Sequence, residues 1–350
     1  MGSRQSRERA TIQDVADLAG VSTATVSRVL NGSATVHEIL ADRVRAAMQD
    51  LRYQPSRAAR TLAGRLSTII GLVVIDMRNP FFLELIRGTE DVAQRNGYLI
   101  VLCNSAEDTR KERQYIDVLC AEPVAGAIVV PTSDREPVLA PFTESNIPVV
   151  TIDRRTSDGA ADAVLIDNVG AAREAVTHLI ANGYRRIGLI TGPECTTTAR
   201  ERRQGYRMAL QDAGIAVTSA WERSGPYTED SALTLAGELL ALDPPLEALF
   251  TANNRLTIGT LRAAYMRGLR IPEQLAVVGF DEVPGSFPGA LSVTTVIQPA
   301  YELGVTAATR LIQQLRHPDG ALPREFVLAH QLHIGDSSRS KAYIGAPVMG

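Results

Sequence analysis

Residues 11–32, TIQDVADLAGVSTATVSRVLNG, hold two short helix-length segments on either side of a glycine. Thr11 precedes an apolar-periodic run and Asp14 follows three positions on, a carboxylate version of the capping box. Gly20 stops this first helix, Ser22 is placed to cap the next, and Asn31-Gly32 stops the second. Within a helix over about 23–30, Val26, Val29 and Leu30 stand at i, i+3 and i+4 and face inward. Thr23, Ala24, Ser27 and Arg28 are left on the outer face. Small side chains there let the helix axis approach another surface closely. The hydroxyls can bond phosphates or base edges, a methyl can touch the thymine methyl, and Arg28 can bond guanine O6 and N7. Two helices joined by a tight turn, the second with such a face, read as a helix-turn-helix. A generic helical hairpin with a bland surface fits the same residues.

Outward from this stretch the first 66 residues stay helical in pattern. A third amphipathic segment covers about 37–52, with Ile39, Leu40, Val44, Ala47, Met48 and Leu51 near helical spacing. Pro55 and Ser56 then precede a short RAARTLAG at 57–64. Charge divides with the pattern. Residues 1–65 carry ten Arg and six acids, +4, whereas the remainder carries 26 basic residues and 33 acids, −7. A basic head on an acidic body points to nucleic acid, although a solvated charged face accounts for +4 as well.

Beyond GRLST at 64–68 the style changes. Short β-rich runs (IIGLVVID, YLIVLCN, GAIVVPT, IPVVTID, RIGLITG, EALFTAN, LAVVGFD) alternate with helix-length segments such as FLELIRGTEDVAQRNG and AAREAVTHLIANG. Such alternation predicts parallel sheets covered on both faces. About ten strand candidates exceed what one modest sheet needs, so two α/β lobes are expected. A frayed tail is expected from about 337.

At this point the chain resembles the LacI family of bacterial transcription regulators, on TIQDVADLAGVSTATVSRVLNG and on YQPSRAARTLAG at 53–64. The resemblance implies a helix-turn-helix over 1–54 in which Ser22, Thr23, Ala24, Thr25, Ser27, Arg28 and Asn31 meet DNA. It implies a hinge helix and linker over 55–66, where Arg57 and Arg60 meet phosphates and Leu62 wedges into the minor groove. Side-by-side hinge helices require a homodimer and a near-palindromic operator in double-stranded DNA. Without the resemblance, Leu62 reads as a linker residue packing on the body. The pattern departs at His37, where the family has a Ser-type cap.

The resemblance continues to about 336, as an effector-binding and dimerisation domain over 67–336 with the two-lobed fold of periplasmic sugar-binding proteins. The expected lobes are about 67–167 plus 298–326, and about 168–297 plus 327–336, with 337–350 a tail. Ligands of open α/β sheets meet the carboxyl ends of strands. Matched positions that follow strands imply the effector contacts Asn79, Phe81, Phe82, Asp153, Arg154, Arg202, Tyr227, Asn253, Asp281 and Gln298, a set like that of ribose-binding proteins and ribose-type repressors. Planar Asp, Asn and Arg groups hold adjacent hydroxyls while aromatic faces cover the C–H surface of a sugar. The implied effector is a small sugar, a pentose such as ribose among the candidates. Two acids in the pocket disfavour a phosphorylated ligand. Asn79-Pro80-Phe81-Phe82 could instead only cap and pack a helix, and Asp153–Arg154 could be a surface ion pair. Asn254 stands where many members have Asp, which leaves the helix start there open.

Reaction chemistry has no foothold. There is no G-x-S-x-G, no phosphate-binding G-x-x-x-x-G-K-[ST] and no H-E-x-x-H. His330 and His333, in a strand-like EFVLAHQLHIG, lack Cys or acidic neighbours in sequence, so no metal and no cofactor is expected. Cys103, Cys120 and Cys195 form no C-x-x-C pair and read as reduced thiols. The polar, Arg-rich start has no apolar stretch behind it, and the longest aliphatic runs are too short to span a bilayer, so a cytoplasmic location without membrane attachment is expected. The competing functions are a solute-binding protein without DNA activity and an α/β enzyme, the latter resting on fold alone.

Overall fold

The computed structural model describes residues 10–30, 36–53, 67–135, 137–283, 291–317 and 322–339. The chain divides into two units, Met1–Ser67 and Thr68–Gly350. Asn31, Arg57, Arg60 and Leu62 lie outside the described residues, as does the rest of the expected hinge helix.

The first unit is three helices, α1 (Ile12–Ala19), α2 (Thr23–Leu30) and α3 (Glu38–Asp50). The cap of α1 is a reciprocal box, with Thr11 N donating to Asp14 Oδ2 at 2.7 Å and Asp14 N to Thr11 Oγ1 at 3.3 Å. Gly20 ends it in the left-handed region at φ 62°, a conformation a side-chain-bearing residue adopts only with strain. The core is Val15, Ala16, Ala19, Val26, Val44 and Ala47, with Val29, Leu30 and Met48 packed at its edge. Ile39 departs from the expected inward stripe and is 66% exposed. The buried row of α3 is Ala41, Val44 and Ala47, and Ile39 falls off that row because two residues turn a helix by about 200°. His37 stands at the N-cap of α3 without a side-chain hydrogen bond.

The second unit starts with β1 (Ile69–Val74), α4 (Pro80–Arg95), β2 (Leu99–Asn104), α5 (Thr109–Ala121), β3 (Gly126–Val129), the short α6 (Ala140–Glu144), β4 (Val149–Ile152) and β5 (Asp162–Ile166). It continues with α7 (Asn168–Ala181), β6 (Ile187–Thr191), α8 (Thr197–Asp212), β7 (Glu222–Ser224), α9 (Glu229–Leu239), β8 (Ala248–Thr251), α10 (Asn254–Met266), β9 (Ala276–Phe280) and β10 (Thr294–Ile297). The last elements are α11 (Ala300–Arg316), β11 (Glu325–Leu328) and β12 (Gln331–His333). They build two six-stranded sheets, ordered β11-β5-β4-β3-β1-β2 and β12-β10-β9-β8-β6-β7. All pairings are parallel except β10 with β12. Helices α4 and α11 pack together against the first sheet, and α7 with α8, and α9 with α10, against the second. Alternate residues of a strand serve opposite faces. Ile70, Leu72 and Val74 enter one core while Val73 enters another.

The chain crosses between the sheets three times: after β5, after β10 and between β11 and β12. The strand-like EFVLAHQLHIG is thus two strands in different sheets. The last crossing falls after Leu328 and not at 326, because Val327 and Leu328 pair with Leu165 and Ile166. Residues 337–339 are not a frayed tail. Ser337 and Ser338 are buried, Ser337 Oγ donates to Val277 O at 2.6 Å, and Thr294 N donates to Ser337 Oγ at 2.8 Å. His330 also finds an acidic partner, Glu174, at 2.9 Å. Among the described residues, no helix is long and apolar enough to cross a membrane.

Candidate functional sites

The helical unit presents one polar face. Ser22 caps α2, accepting from Thr25 N at 3.2 Å. Val26 is buried, Ser22, Ala24 and Arg28 are exposed, and Thr23, Thr25 and Ser27 are half-exposed. The outer face of α2 is therefore short-chained apart from Arg28, and its spacing is set by the burial of the opposite side.

The second unit holds a cavity of about 300 Å³, and all ten expected effector residues line it. Strand ends deliver them. Asn79 caps α4 through Phe81 N at 3.1 Å, and the helix it starts turns Phe81 and Phe82 into the wall, edge to face with ring centres 4.9 Å apart. Both readings of Asn79-Pro80-Phe81-Phe82 hold together: the segment caps a helix and lines the cavity. Asn79 also pairs reciprocally with Asn254, Nδ2 to Oδ1 at 3.1 Å and Nδ2 to Oδ1 at 2.8 Å in return. This buried amide pair joins the starts of α4 and α10, one from each sheet. Asn253 caps α10, so the helix start is intact with Asn at 254.

Asp153 and Asp281 occupy equivalent places in the two sheets. Each follows the fourth strand of its sheet in chain order and has positive φ, 65° and 66°. Each donates its backbone N–H to the neighbouring strand, Asp153 to Val164 O at 2.9 Å and Asp281 to Val296 O at 2.8 Å. Left-handed residues other than Gly are held only where the surroundings dictate them, and they cluster at ligand sites. Gln298 Nε2 donates to Asp281 Oδ1 at 2.6 Å. Burial raises the carboxyl of Asp153 to about 6, opposed by Arg154 and Arg202 and reinforced by Asp281. Burial raises Asp281 as well, against Arg202 and the Gln298 hydrogen bond.

The two arginines are fixed differently. Arg202 lies on the Phe280 ring, 3.5 Å from its centre, and donates to Asn168 Oδ1 at 2.9 Å and Ala252 O at 2.7 Å. Arg154 is buried, so Asp153–Arg154 is no surface ion pair. Its plane faces Tyr227, 5.5 Å away, and it meets both oxygens of Glu107, at 3.0 and 3.2 Å.

Glu107, Thr132 and Thr198 also line the cavity and were not anticipated. Glu107 and Thr132 follow β2 and β3, so the strand-end rule that found Asp153 could have found them. Gly192, after β6, was also missed. A Cβ there would sit 2.5 Å from Tyr227 Cε1 and nearer still to Cζ and the hydroxyl, so the glycine makes room for the ring. Arg200 instead pairs with Asp134 and donates to Glu194 O at 2.7 Å.

Comparison with known proteins finds relatives for both units. Residues 67–334 match the family model for periplasmic binding proteins and the sugar binding domain of the LacI family. Residues 11–56 match the model for bacterial regulatory proteins of the lacI family. The ribose operon repressor of Halalkalibacterium halodurans is 38% identical over 305 residues, 87% of this chain and 90% of the relative. That of Escherichia coli K12 is 34% identical over 88% of this chain and 94% of the relative. Among solved structures, a lac repressor dimer bound to operator and an anti-inducer superposes with a TM-score of 0.78 at 27% identity, covering 95% of this chain and 100% of that one. A LacI family transcriptional regulator from Enterococcus faecium with bound ribose gives a TM-score of 0.68 at 26% identity, covering 77% and 98%. With both of its units matched over most of the chain, the protein belongs to the LacI family of bacterial regulatory proteins.

Proposed function

We propose that this protein is a cytoplasmic, homodimeric transcriptional repressor that binds a near-palindromic operator and is controlled by a small neutral sugar of the ribose type. The observation that carries the reading is the convergence of ten residues, from strand ends and the helices that follow them, on one cavity, in a chain that also bears a helix-turn-helix. The charges lining that cavity balance, with Asp76, Glu107, Asp153 and Asp281 facing Arg78, Arg154, Arg202 and Arg255. A balanced wall accepts a neutral polyol and gives a phosphate dianion no net attraction. The ligand of the Enterococcus faecium neighbour and the names of the ribose operon repressors support ribose as the first candidate.

On the DNA side, Arg28 is the base-reading candidate and Ser22, Thr23, Ala24, Thr25, Ser27 and Asn31 the close-approach surface. Arg57, Arg60 and Leu62 are assigned to the hinge, Leu62 as the minor-groove wedge. Exposed apolar side chains support self-association. Leu99, Val101 and Leu102 are exposed on edge strand β2 and Tyr265 and Met266 on α10, beside a largely apolar groove lined by Leu261, Tyr265 and Leu291. Long apolar edges and patches of this kind are left open in few monomers.

Ligand-dependent closure would change operator affinity through a coupling of about 1–3 kcal/mol. The test selects operator DNA from a random pool with the full-length protein, then measures binding with and without D-ribose. A near-palindromic consensus whose affinity responds to D-ribose is expected. Leu62→Ala should lose preference for that site over random DNA while keeping its D-ribose-dependent thermal shift; unchanged preference removes Leu62 as the wedge. The same thermal shift without any DNA affinity would favour a solute-binding protein.

A further inference from the structure

Ala106 and Glu107 follow β2 with φ of 54° and 60°. Two successive non-glycine residues in the left-handed region are costly, and such strain persists where a structure over-determines it. Two anchors hold this turn. Asp108, the next residue, caps α5 by accepting from Arg110 N at 2.8 Å and Lys111 N at 3.4 Å. Glu107 itself is held by Arg154 from both guanidinium ends, Nη2 to Oε1 at 3.0 Å and Nη1 to Oε2 at 3.2 Å. The turn places the Glu107 carboxylate on the cavity wall, with its side chain still 30% exposed.

Arg154 is already committed to the protein. Nη1 also donates to Pro131 O at 3.2 Å and Thr132 O at 3.4 Å. Its Nε is buried without a hydrogen bond, 3.8 Å from Asp153 Oδ2, and Tyr227 covers its plane. Its Nε–H and one Nη2–H are left without a hydrogen bond, so Arg154 keeps donors of its own beside Glu107. The carboxylate adds acceptors. Each oxygen has about two acceptor sites, and Arg154 uses one on each, so Glu107 keeps acceptor capacity facing the cavity.

We propose that Glu107 is a direct effector contact and a specificity determinant, accepting a hydrogen bond from one sugar hydroxyl, with Arg154 as the positioning residue that holds it there. Matched family positions put Arg154 among the contacts and leave Glu107 out; the hydrogen bonds of this chain add Glu107 beside it. An acceptor-only group demands a donor. A ligand lacking that hydroxyl leaves one acceptor site of the carboxylate unpaired against the bound sugar, a situation in which a site rejects an analogue. The inference rests on the sugar-effector reading above.

The test measures affinities of wild type, Glu107→Gln and Glu107→Ala for D-ribose, D-xylose, D-arabinose and D-lyxose, then for each monodeoxy form of the preferred sugar. Glu107 is not deeply buried, and cooperative unfolding with intact operator binding checks that both variants fold. Wild type should lose tenfold or more on removal of one particular hydroxyl. Both variants should bind the parent sugar at least tenfold more weakly yet bind that one deoxy sugar within about threefold of wild type. Equal weakening toward every sugar would mean that Glu107 only holds Arg154, and overturns the proposal while the sugar reading stands. If none of the pentoses binds wild type, the ribose-type reading fails, and this inference with it.

Discussion

Gly192→Ala tests how the cavity wall is built. The glycine is outside the left-handed region, so the substitution brings no backbone strain, only one methyl group. That methyl carbon would stand 2.5 Å from Tyr227 Cε1, with Cζ and the hydroxyl closer. Carbon atoms pack at about 3.5–4.0 Å, so the ring has to move by roughly 1 Å or more. It sits at the end of two rotatable bonds and moves more readily than backbone. Moving, it gives up its place over Arg154 at 5.5 Å and its 3.4 Å contact with the Thr198 hydroxyl. The displaced ring no longer covers the C–H face of the sugar, and an aromatic contact of that kind is worth about 0.5–1.5 kcal/mol. Lost in binding, that corresponds to a Kd for D-ribose raised roughly 2–13-fold.

Calorimetry on wild type, Gly192→Ala, Tyr227→Ala and the double variant decides the mechanism. If the methyl acts through the ring, the double variant binds no more weakly than Tyr227→Ala alone, because the two changes remove one interaction. Additive losses, or an unchanged Kd in Gly192→Ala, would refute the argument. The contacts with Arg154 and Thr198 exist without sugar, so the melting temperature of the sugar-free protein should also fall by a few degrees.

Binding of D-ribose should release protons. Asp153, raised to about 6 by burial, falls when sugar hydroxyls donate to its charged form, so affinity rises from pH 5 to 7 and calorimetry near pH 6 depends on buffer ionisation heat; Asp153→Asn removes that dependence. In the sugar-free protein the sign runs the other way. A folded value above the unfolded 3.8 means stability is lost as pH rises from about 4 to 6, so Asp153→Asn should gain up to roughly 3 kcal/mol over wild type at pH 7 and little at pH 4. Ser337→Ala should cost about 1–3 kcal/mol in denaturant melts by stripping partners from Val277 O and Thr294 N; a neutral result would return residues 337–339 to the status of a tail. Asn254→Ala should weaken D-ribose binding about 3–30-fold through loss of the amide pair with Asn79, leaving operator affinity without sugar within a few-fold.

What could be read in the sequence was local or followed from topology. Thr11 with Asp14, and Gly20, mark helix ends through bonds within three residues. Asp153, Asn253 and Asp281 stand at strand ends, where any parallel sheet gathers its ligand groups. What escaped was decided by partners distant in the chain. Asn254 meets Asn79 across 175 positions. Ser337 substitutes its hydroxyl for a backbone partner of β10, which turns an apparent tail into part of the core. EFVLAHQLHIG has one continuous strand pattern, yet the crossing divides it because β5 and β10 each need an edge partner. Glu107 was hidden for a different reason: its position depends on an unusual backbone turn that no side-chain periodicity announces.

The cleft between the two sheets also bears on how a small ligand can work a switch. Three chain crossings connect the sheets, so relative motion of the lobes is confined to a hinge. Across the cleft, Asn79 pairs with Asn254, Asp76 with Arg255 at 3.2 Å and Asp134 with Arg200, bonds the protein makes with its own side chains. On the proposed reading, the sugar favours the closed arrangement by donating hydroxyls to the carboxylates of Asp153 and Glu107. Each such hydrogen bond to a charged group contributes about 1.5–3 kcal/mol, the same size as the coupling an allosteric regulator typically uses. If Glu107 and Asp153 accept from the sugar as proposed, one or two hydroxyls in the right place suffice to move the equilibrium, and the identity of the acceptor sets specificity.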